Sequence, residues 1–547
     1  MNCFFGNWGE RERLGLAAAG GLMLAAAFPK LNFAGLAWVG PGLILFAALG
    51  SKSPFRAGYV AGLAFHLVTL HWILFIPVRF YPILGWLALC GYLALYPAVW
   101  CWICARAAGL DGSSALRGPA GEVNDSWLHR QRWASFCAVA WVALEMVEAR
   151  LFSGFPWHPL GVSQQRMLPL IQIASITSVY GVSFLVVWFS VSLLLALRGL
   201  IRNPAHRLSW LANIILPLST VAVVYGTGLG RITRGPVSDR HLKVVLVQPS
   251  IPQTMIWRSE DDTTRFHELL KLSSLALAAK PELLIWPEAA VPSLPRWDTN
   301  LWQAITNHVV RSGAWLIMGA DDAVPRGTNE EDYFNSSWLI SPRGEITATY
   351  HKRRLVIFGE YVPLARWLPF VKWFTPISGG FTPGDRVVPF VIPEPGVRTA
   401  TLICFEDIFP HWVREYVEPD TDFLVNITND GWFRESAAHW QQAANAAFRA
   451  VENGLPLVRC ANNGLSCWID AHGAMHEIYF GDSKDVYAAG FKTAHIPLLP
   501  AGSQRAPTFY NRHGDWFGWS CVAVVAMFLT WEGSTRMRRR NRRATGA

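Results

Sequence analysis

Up to about residue 232 the chain is a succession of long apolar runs separated by short polar gaps. Each run approaches the roughly 20 residues that an α-helix needs to cross a bilayer. Seven spans are expected, over residues 14–28, 33–50, 57–78, 83–105, 133–152, 180–197 and 209–229. The first two are short and rich in Ala and Gly. A secretory signal competes for the first, but no clear cleavage site followed by a soluble mature chain accompanies it, so it is read as a membrane helix. An eighth apolar run, residues 516–531, follows a long stretch of ordinary soluble composition.

That stretch has a different rhythm. Apolar or β-branched runs at 242–247, 283–286, 315–318, 336–340, 346–350, 398–403, 422–427, 457–460 and 466–470 predict strands. Helical spacing at 263–279, 411–417 and 436–452 predicts helices. The mixture implies a layered α/β domain with its sheet covered on both faces. The expected organisation is a membrane α-helical bundle of about eight transmembrane helices plus an α/β domain. N-terminal spans fill 1–232, the α/β domain 235–505, a last span 514–532 and a basic tail 533–547, and the most linker-like stretch is 110–124.

Composition fits a chain that meets two solvents: 52% of the 547 residues are hydrophobic and 16% charged, against about 25% charged in ordinary soluble proteins. A disordered chain, a collagen and a small disulfide scaffold are excluded. The formal charge is +9, yet Arg536, Arg538, Arg539, Arg540, Arg542 and Arg543 lie in the tail with no acid after Glu532, so the rest of the chain carries +3. This basic balance is no footprint of nucleic acid, and no nucleic-acid partner is expected; a lipid bilayer is. Lys and Arg near span ends are retained in the cytoplasm. With the N-terminus inside, inner segments carry Arg11, Arg13, Lys52, Arg56, Arg106, Arg117, Arg130, Arg132, Arg198, Arg202 and Arg207, while the outer short loops carry Lys30, Arg79, Arg150 and Arg166. Both termini are therefore expected in the cytoplasm and the α/β domain outside it.

Of nine cysteines, Cys101 and Cys104 form a CxxC within an apolar run without nearby His or further Cys ligands, which favours packing over metal or redox chemistry. No metal and no cofactor are expected. Cys404 follows a predicted strand, a position that presents a nucleophile from a rigid element; its alternative is a small buried hydrophobe. Glu288 ends another strand just after Pro287 and suits a general base, or is a loop acid. Lys352, in a His-Lys-Arg-Arg run after a third strand, suits oxyanion stabilisation, or lies in a solvated turn.

As a set these residues resemble a known constellation. Glu288 in WPE, Lys352 in YHK and Cys404 in ICFE resemble the Glu–Lys–Cys triad of the nitrilase superfamily, whose fold is an αββα sandwich. On a multispan membrane chain the triad resembles the apolipoprotein N-acyltransferase family. Further strings agree: GFPW at 154–157, Gly161, Ser163 and Gln164, YGVSF at 180–184, Gln248 to Gln253 with Trp257, FGEYVP at 358–363, NDGWF at 429–433 and RAVENG at 449–454. Phe405 departs from the Tyr found in many members, and the loop before Trp133 is long and polar.

The resemblance implies a ping-pong enzyme of the bacterial inner membrane, with its catalytic domain on the periplasmic side. Cys404 would take the sn-1 acyl chain of a phospholipid donor as a thioester and pass it to the α-amino group of a diacylated apolipoprotein acceptor. Glu288 would act as base and Lys352 as oxyanion partner. Glu360 would orient Lys352 or receive an amine, Glu406 would hydrogen-bond near the nucleophile or begin a helix, and Trp257 and Phe405 would line an acyl or head-group passage or simply pack. The alternatives are a membrane-tethered nitrilase-type amidase and, more remotely, a transporter or scaffold. For transport the notable intramembrane groups are Glu145, Glu148, His66 and His71.

Overall fold

The computed structural model describes residues 8–110, 126–202, 204–205, 207–234, 238–327, 330–362 and 380–544. The linker-like stretch from 111 on, and Pro363 of the FGEYVP string, lie outside these residues. The chain forms two compact units, one from residues up to His71, Leu87–Thr233 and from His513 on, the other from Trp72–Trp86 and Arg234–Arg512.

The first unit is helical. Among the described residues four stretches are long and apolar enough to cross a membrane: Tyr81–Ala108, Val179–Ile201, Trp210–Thr233 and Trp516–Arg538. At least three expected spans are not single continuous helices; the run at 83–105 divides at Ala94 into the helices Tyr81–Leu93 and Leu95–Leu110. The run at 33–50 divides into a 3-10 turn, Ala34–Trp38, and the 11-residue helix Gly40–Gly50, which starts afresh with Pro41 in its first turn. The run at 57–78 is the 16-residue helix Pro54–Thr69, after which the chain tightens into the 3-10 segment His71–Phe75. Small residues let the helices approach closely. A Cβ on Gly21 would collide with the Ala61 carbonyl, and one on Gly62, four residues after Gly58, would lie 2.7 Å from the Ala94 Cα. Glu145 is a structural acceptor: its Oε1 takes hydrogen bonds from Trp141 Nε1 (2.8 Å) and the Leu160 N–H (2.7 Å).

The second unit holds two six-stranded mixed sheets. The first contains β1 (His241–Gln248), β2 (Leu283–Ile285), β3 (Trp315–Pro325), β4 (Glu331–Ile340), β5 (Ile346–His351) and β12 (Gly490–Pro497), in the order β12-β1-β2-β3-β4-β5. The second contains β6 (Pro389–Ile392), β7 (Val397–Ile403), β8 (Phe423–Thr428), β9 (Leu457–Ala461), β10 (Cys467–Ile469) and β11 (Met475–His476), in sequential order from edge to edge.

Side-chain alternation along β1 shows the layering. Leu242, Val244 and Leu246 point into a core shared with Leu402, Ile403, Val425 and Val458 of the second sheet. Val245 and Val247 point the other way, toward Phe266 and Leu269 of helix α1 (Asp262–Ala276) and Ile305 and Val309 of helix α2 (Thr299–Ser312). Ala443, Ala446, Ala447 and Ala450 of helix α3 (Ala438–Asn453) join the core at the second sheet. Helix, sheet, sheet and helix follow in turn, giving the αββα sandwich.

Candidate active site

Glu288, Lys352 and Cys404 each stand just past the carboxyl end of a strand. The Trp286 N–H still donates to the Ile317 carbonyl (2.8 Å), so pairing continues to Pro287, which has no N–H to extend it. Glu288 is thereby delivered from the carboxyl end of a central strand in a buried position. Its neighbour on β3 must be glycine: a Cβ on Gly319 would lie 2.6 Å from the Pro287 carbonyl oxygen and 2.7 Å from the Glu288 Cα.

Lys352 follows β5, with its N–H donating to the Asn335 carbonyl at 2.8 Å and its residue only 1% exposed. Nζ donates to Glu288 Oε1 at 3.2 Å and Glu360 Oε1 at 2.7 Å. Asn335 Nδ2 donates to the same two oxygens, at 2.8 and 2.9 Å. Glu288 Oε2 accepts from the Asn429 N–H (2.9 Å) and Glu360 Oε2 from the Val356 N–H (2.8 Å). One ammonium thus sits between two carboxylates that are each oriented by a backbone N–H.

Cys404 follows β7 with φ +55°, a left-handed conformation that costs a non-glycine residue about 1–3 kcal/mol and persists only where the surroundings over-determine it. Glu406 is part of that determination. Its Oε2 accepts from the Ile403 N–H (2.8 Å), and its Oε1 from the Arg353 and Arg354 N–H groups (2.9 and 3.0 Å). The Tyr350 hydroxyl reaches both oxygens. One carboxylate therefore joins the turn at Cys404 to the loop that carries Lys352.

Electrostatics sort the roles. Burial pushes the Cys404 thiol well above its ordinary pKa; Glu288 and Glu360 add to the rise and Lys352 opposes it. Burial works against the Lys352 charge, but Glu288, Glu360 and Cys404 outweigh it and hold the pKa well above the ordinary lysine value. Asp321, half-buried on β3 directly opposite Asn335, is pushed up to about 7 by burial, with Glu288 and Glu360 adding to the effect.

The structure brings Glu288, Lys352, Glu360 and Cys404 within electrostatic reach of one another. The Phe405 ring lies beside them, 5.7 Å from Lys352 Nζ and edge-on to Phe409. Trp257 is different: it is 46% exposed at the end of the short helix Gln253–Ile256, packed against Trp432 of the NDGWF string. Sequence reasoning missed Asn335. A buried Asn inside a run of strand-forming residues was the available signal, because Asn is depleted from strands.

Comparison with known proteins agrees with this architecture. Residues 20–192 match the family model described as the apolipoprotein N-acyltransferase N-terminal domain, and residues 243–482 match the carbon-nitrogen hydrolase model. The apolipoprotein N-acyltransferase of Geobacter metallireducens is 35% identical over 526 residues, 94% of each chain. That of Vibrio cholerae is 30% identical over 84% of this chain and 86% of its own. Among solved structures, an amidase of the nitrilase superfamily from Nesterenkonia is 17% identical, with 48% of this chain and 94% of that one covered at a TM-score of 0.35. With similarity to a curated member running almost end to end and family models matched in both halves, the chain belongs to the apolipoprotein N-acyltransferase family.

Proposed function

We propose that the chain performs its family's acyl transfer through Cys404, with Glu288 as base and Lys352 as oxyanion partner. Glu288 takes the thiol proton as Sγ attacks the sn-1 ester carbonyl of a phospholipid. Oε2 suits this step, since it accepts a single described hydrogen bond and keeps a lone pair. Negative charge on the tetrahedral oxygen is met by Lys352, whose ammonium spends two donors on Glu288 and Glu360 and keeps a third. Collapse breaks the ester C–O bond. The glycerol oxygen takes the proton from Glu288, lysophospholipid leaves, and a thioester remains on Cys404.

In the second half-reaction the α-amino group of a diacylglyceryl-cysteine, at the N-terminus of an apolipoprotein, attacks the thioester carbonyl. Glu288 receives the amine proton, the C–S bond breaks, and the proton returns to sulfur as the amide leaves. Both substrates carry acyl chains insoluble as free monomers, which accounts for joining the catalytic unit to membrane helices. The asymmetry of Lys and Arg supports an inner-membrane enzyme with its catalytic unit periplasmic and both termini cytoplasmic.

The observation that carries the reading is a partly buried Cys404 beside a Lys352 ammonium clamped between two carboxylates. Incubation with labelled phospholipid and a diacylated lipopeptide tests it. Labelled amide is expected from the wild type and none from Cys404→Ala. Free labelled fatty acid without amide would make the chain a hydrolase.

A further inference from the structure

Behind Cys404 lies a group of buried polar side chains for which the acyl-transfer scheme has no use. The Cys404 carbonyl oxygen accepts from Asn426 Nδ2 at 2.8 Å and from Gln442 Nε2 at 2.9 Å. Neither amide is free to turn over. Arg459 Nη1 donates to Asn426 Oδ1 (3.2 Å) and Nη2 to Gln442 Oε1 (3.1 Å). A guanidinium has donors only, so each amide must present its oxygen to Arg459 and its NH2 to Cys404. Arg459 is itself fixed by Asp407 Oδ2 (3.1 Å) and by both oxygens of Asp430 (3.0 and 2.8 Å). All five side chains are buried.

The carbonyl that they hold belongs to the same planar trans peptide as the Phe405 N–H, and the two groups point in opposite directions. Fixing the oxygen on the buried side therefore fixes the N–H on the other. Two donors on the two lone pairs of that oxygen resist rotation of the Cys404–Phe405 peptide from both sides.

We propose that Asn426 and Gln442, oriented by Arg459, are positioning residues that set the Cys404–Phe405 peptide plane. They thereby hold the Phe405 N–H as a donor, alongside Lys352, to the oxyanion that forms when Cys404 is acylated. The role rests on Cys404 being the nucleophile. It separates two functions of one residue: the side chain attacks, while the peptide that follows it is aimed by groups from β8, β9 and α3.

The test compares two reactions of the same thiol in the full-length protein. Acylation by a labelled phospholipid passes through an oxyanion, whereas alkylation by iodoacetamide is a direct displacement that builds none. In Asn426→Ser and Gln442→Met the turnover number for acylation is expected to fall about tenfold or more, with KM within about threefold and the alkylation rate within about twofold of wild type. Gln442→Glu keeps the shape and the Arg459 partner but turns a donor into an acceptor, and the same split is expected should the Met variant fail to fold. Unchanged acylation in the variants, or acylation and alkylation falling in proportion, would overturn the role while leaving Cys404 as nucleophile. Absence of acyl-Cys404 in the wild type would overturn the reading of the site and this role with it.

Discussion

Replacing Glu406 with Gln changes one atom of a carboxylate that serves four donor groups. The new amide has a single acceptor oxygen and must choose where to put its NH2. In the Oε1 position it would face two backbone N–H groups, those of Arg353 and Arg354; in the Oε2 position it faces one, that of Ile403. The second orientation costs less, so the damage falls on the Ile403 N–H, one residue before the nucleophile. Loss of a hydrogen bond to a charged group is worth about 1.5–3 kcal/mol, and leaving a buried N–H without an acceptor about 1–3 kcal/mol. Their sum, about 2.5–6 kcal/mol, is a large share of ordinary domain stability. At about 2–4 °C per kcal/mol the apparent unfolding midpoint is expected to fall by about 10 °C. With the left-handed turn at Cys404 less constrained, acylation is expected to slow by about 10–100-fold. Differential scanning fluorimetry and single-turnover acylation measure the two effects. A Glu406→Gln protein with the wild-type midpoint and rate would refute the reasoning, since it would mean that the carboxylate is not needed as an acceptor for the Ile403 N–H.

Three other outcomes follow from the same geometry. Asn335→Leu removes a donor from both Glu288 and Glu360, and is expected to lower turnover by about tenfold or more in the lipopeptide transfer assay. Thiol reactivity should respond to charge with opposite signs. Glu360→Gln removes a charge that raises the Cys404 pKa and should speed alkylation at fixed pH, whereas Lys352→Met removes one that lowers it and should slow alkylation. Asp321 has a folded-state pKa of about 7, above an unfolded value of about 3.9, so the folded protein takes up its proton between those values. Its stabilising contribution is complete below about pH 4, declines as pH rises and is gone above about pH 7. Asp321→Asn should flatten that part of the curve and raise the midpoint at pH 8, read by thermal unfolding across pH.

Much of the α/β domain could be read from sequence because its buried strands are short apolar runs ended by Pro or polar residues. Helix α2 was equally legible yet went unread: Asp298 caps it by accepting from the Leu301 N–H, Leu301, Ile305 and Val309 form its buried stripe, and Gly313 closes it at φ +65°. β12 was harder. It pairs with β1 over eight residues, but its sequence carries few strand formers and its partner lies at the far end of the domain. In the membrane half, hydropathy alone hid at least three interruptions. Composition does not report where an apolar run stops being one helix, although Pro41 marked one of the places.

At the site, the residues past strand ends were legible because strand ends are few. Asn426, Gln442 and Arg459 were not, because isolated polar residues in a strand or helix resemble a solvated face until the fold buries them together. Glu406 was expected to hydrogen-bond near the nucleophile or to begin a helix, and its carboxylate accepts from the backbone N–H groups of Ile403 and Arg353. Trp257 was expected to line a passage or simply to pack, and its described ring contact is with Trp432.

The most direct test of the account is where the acyl chain rests between the two half-reactions. The full-length protein, incubated with labelled phospholipid in the absence of acceptor, should accumulate a hydroxylamine-sensitive label that peptide mass analysis assigns to Cys404. Adding a diacylated lipopeptide should then discharge it as amide. A thioester on any other cysteine, or efficient transfer by Cys404→Ala, would contradict the account.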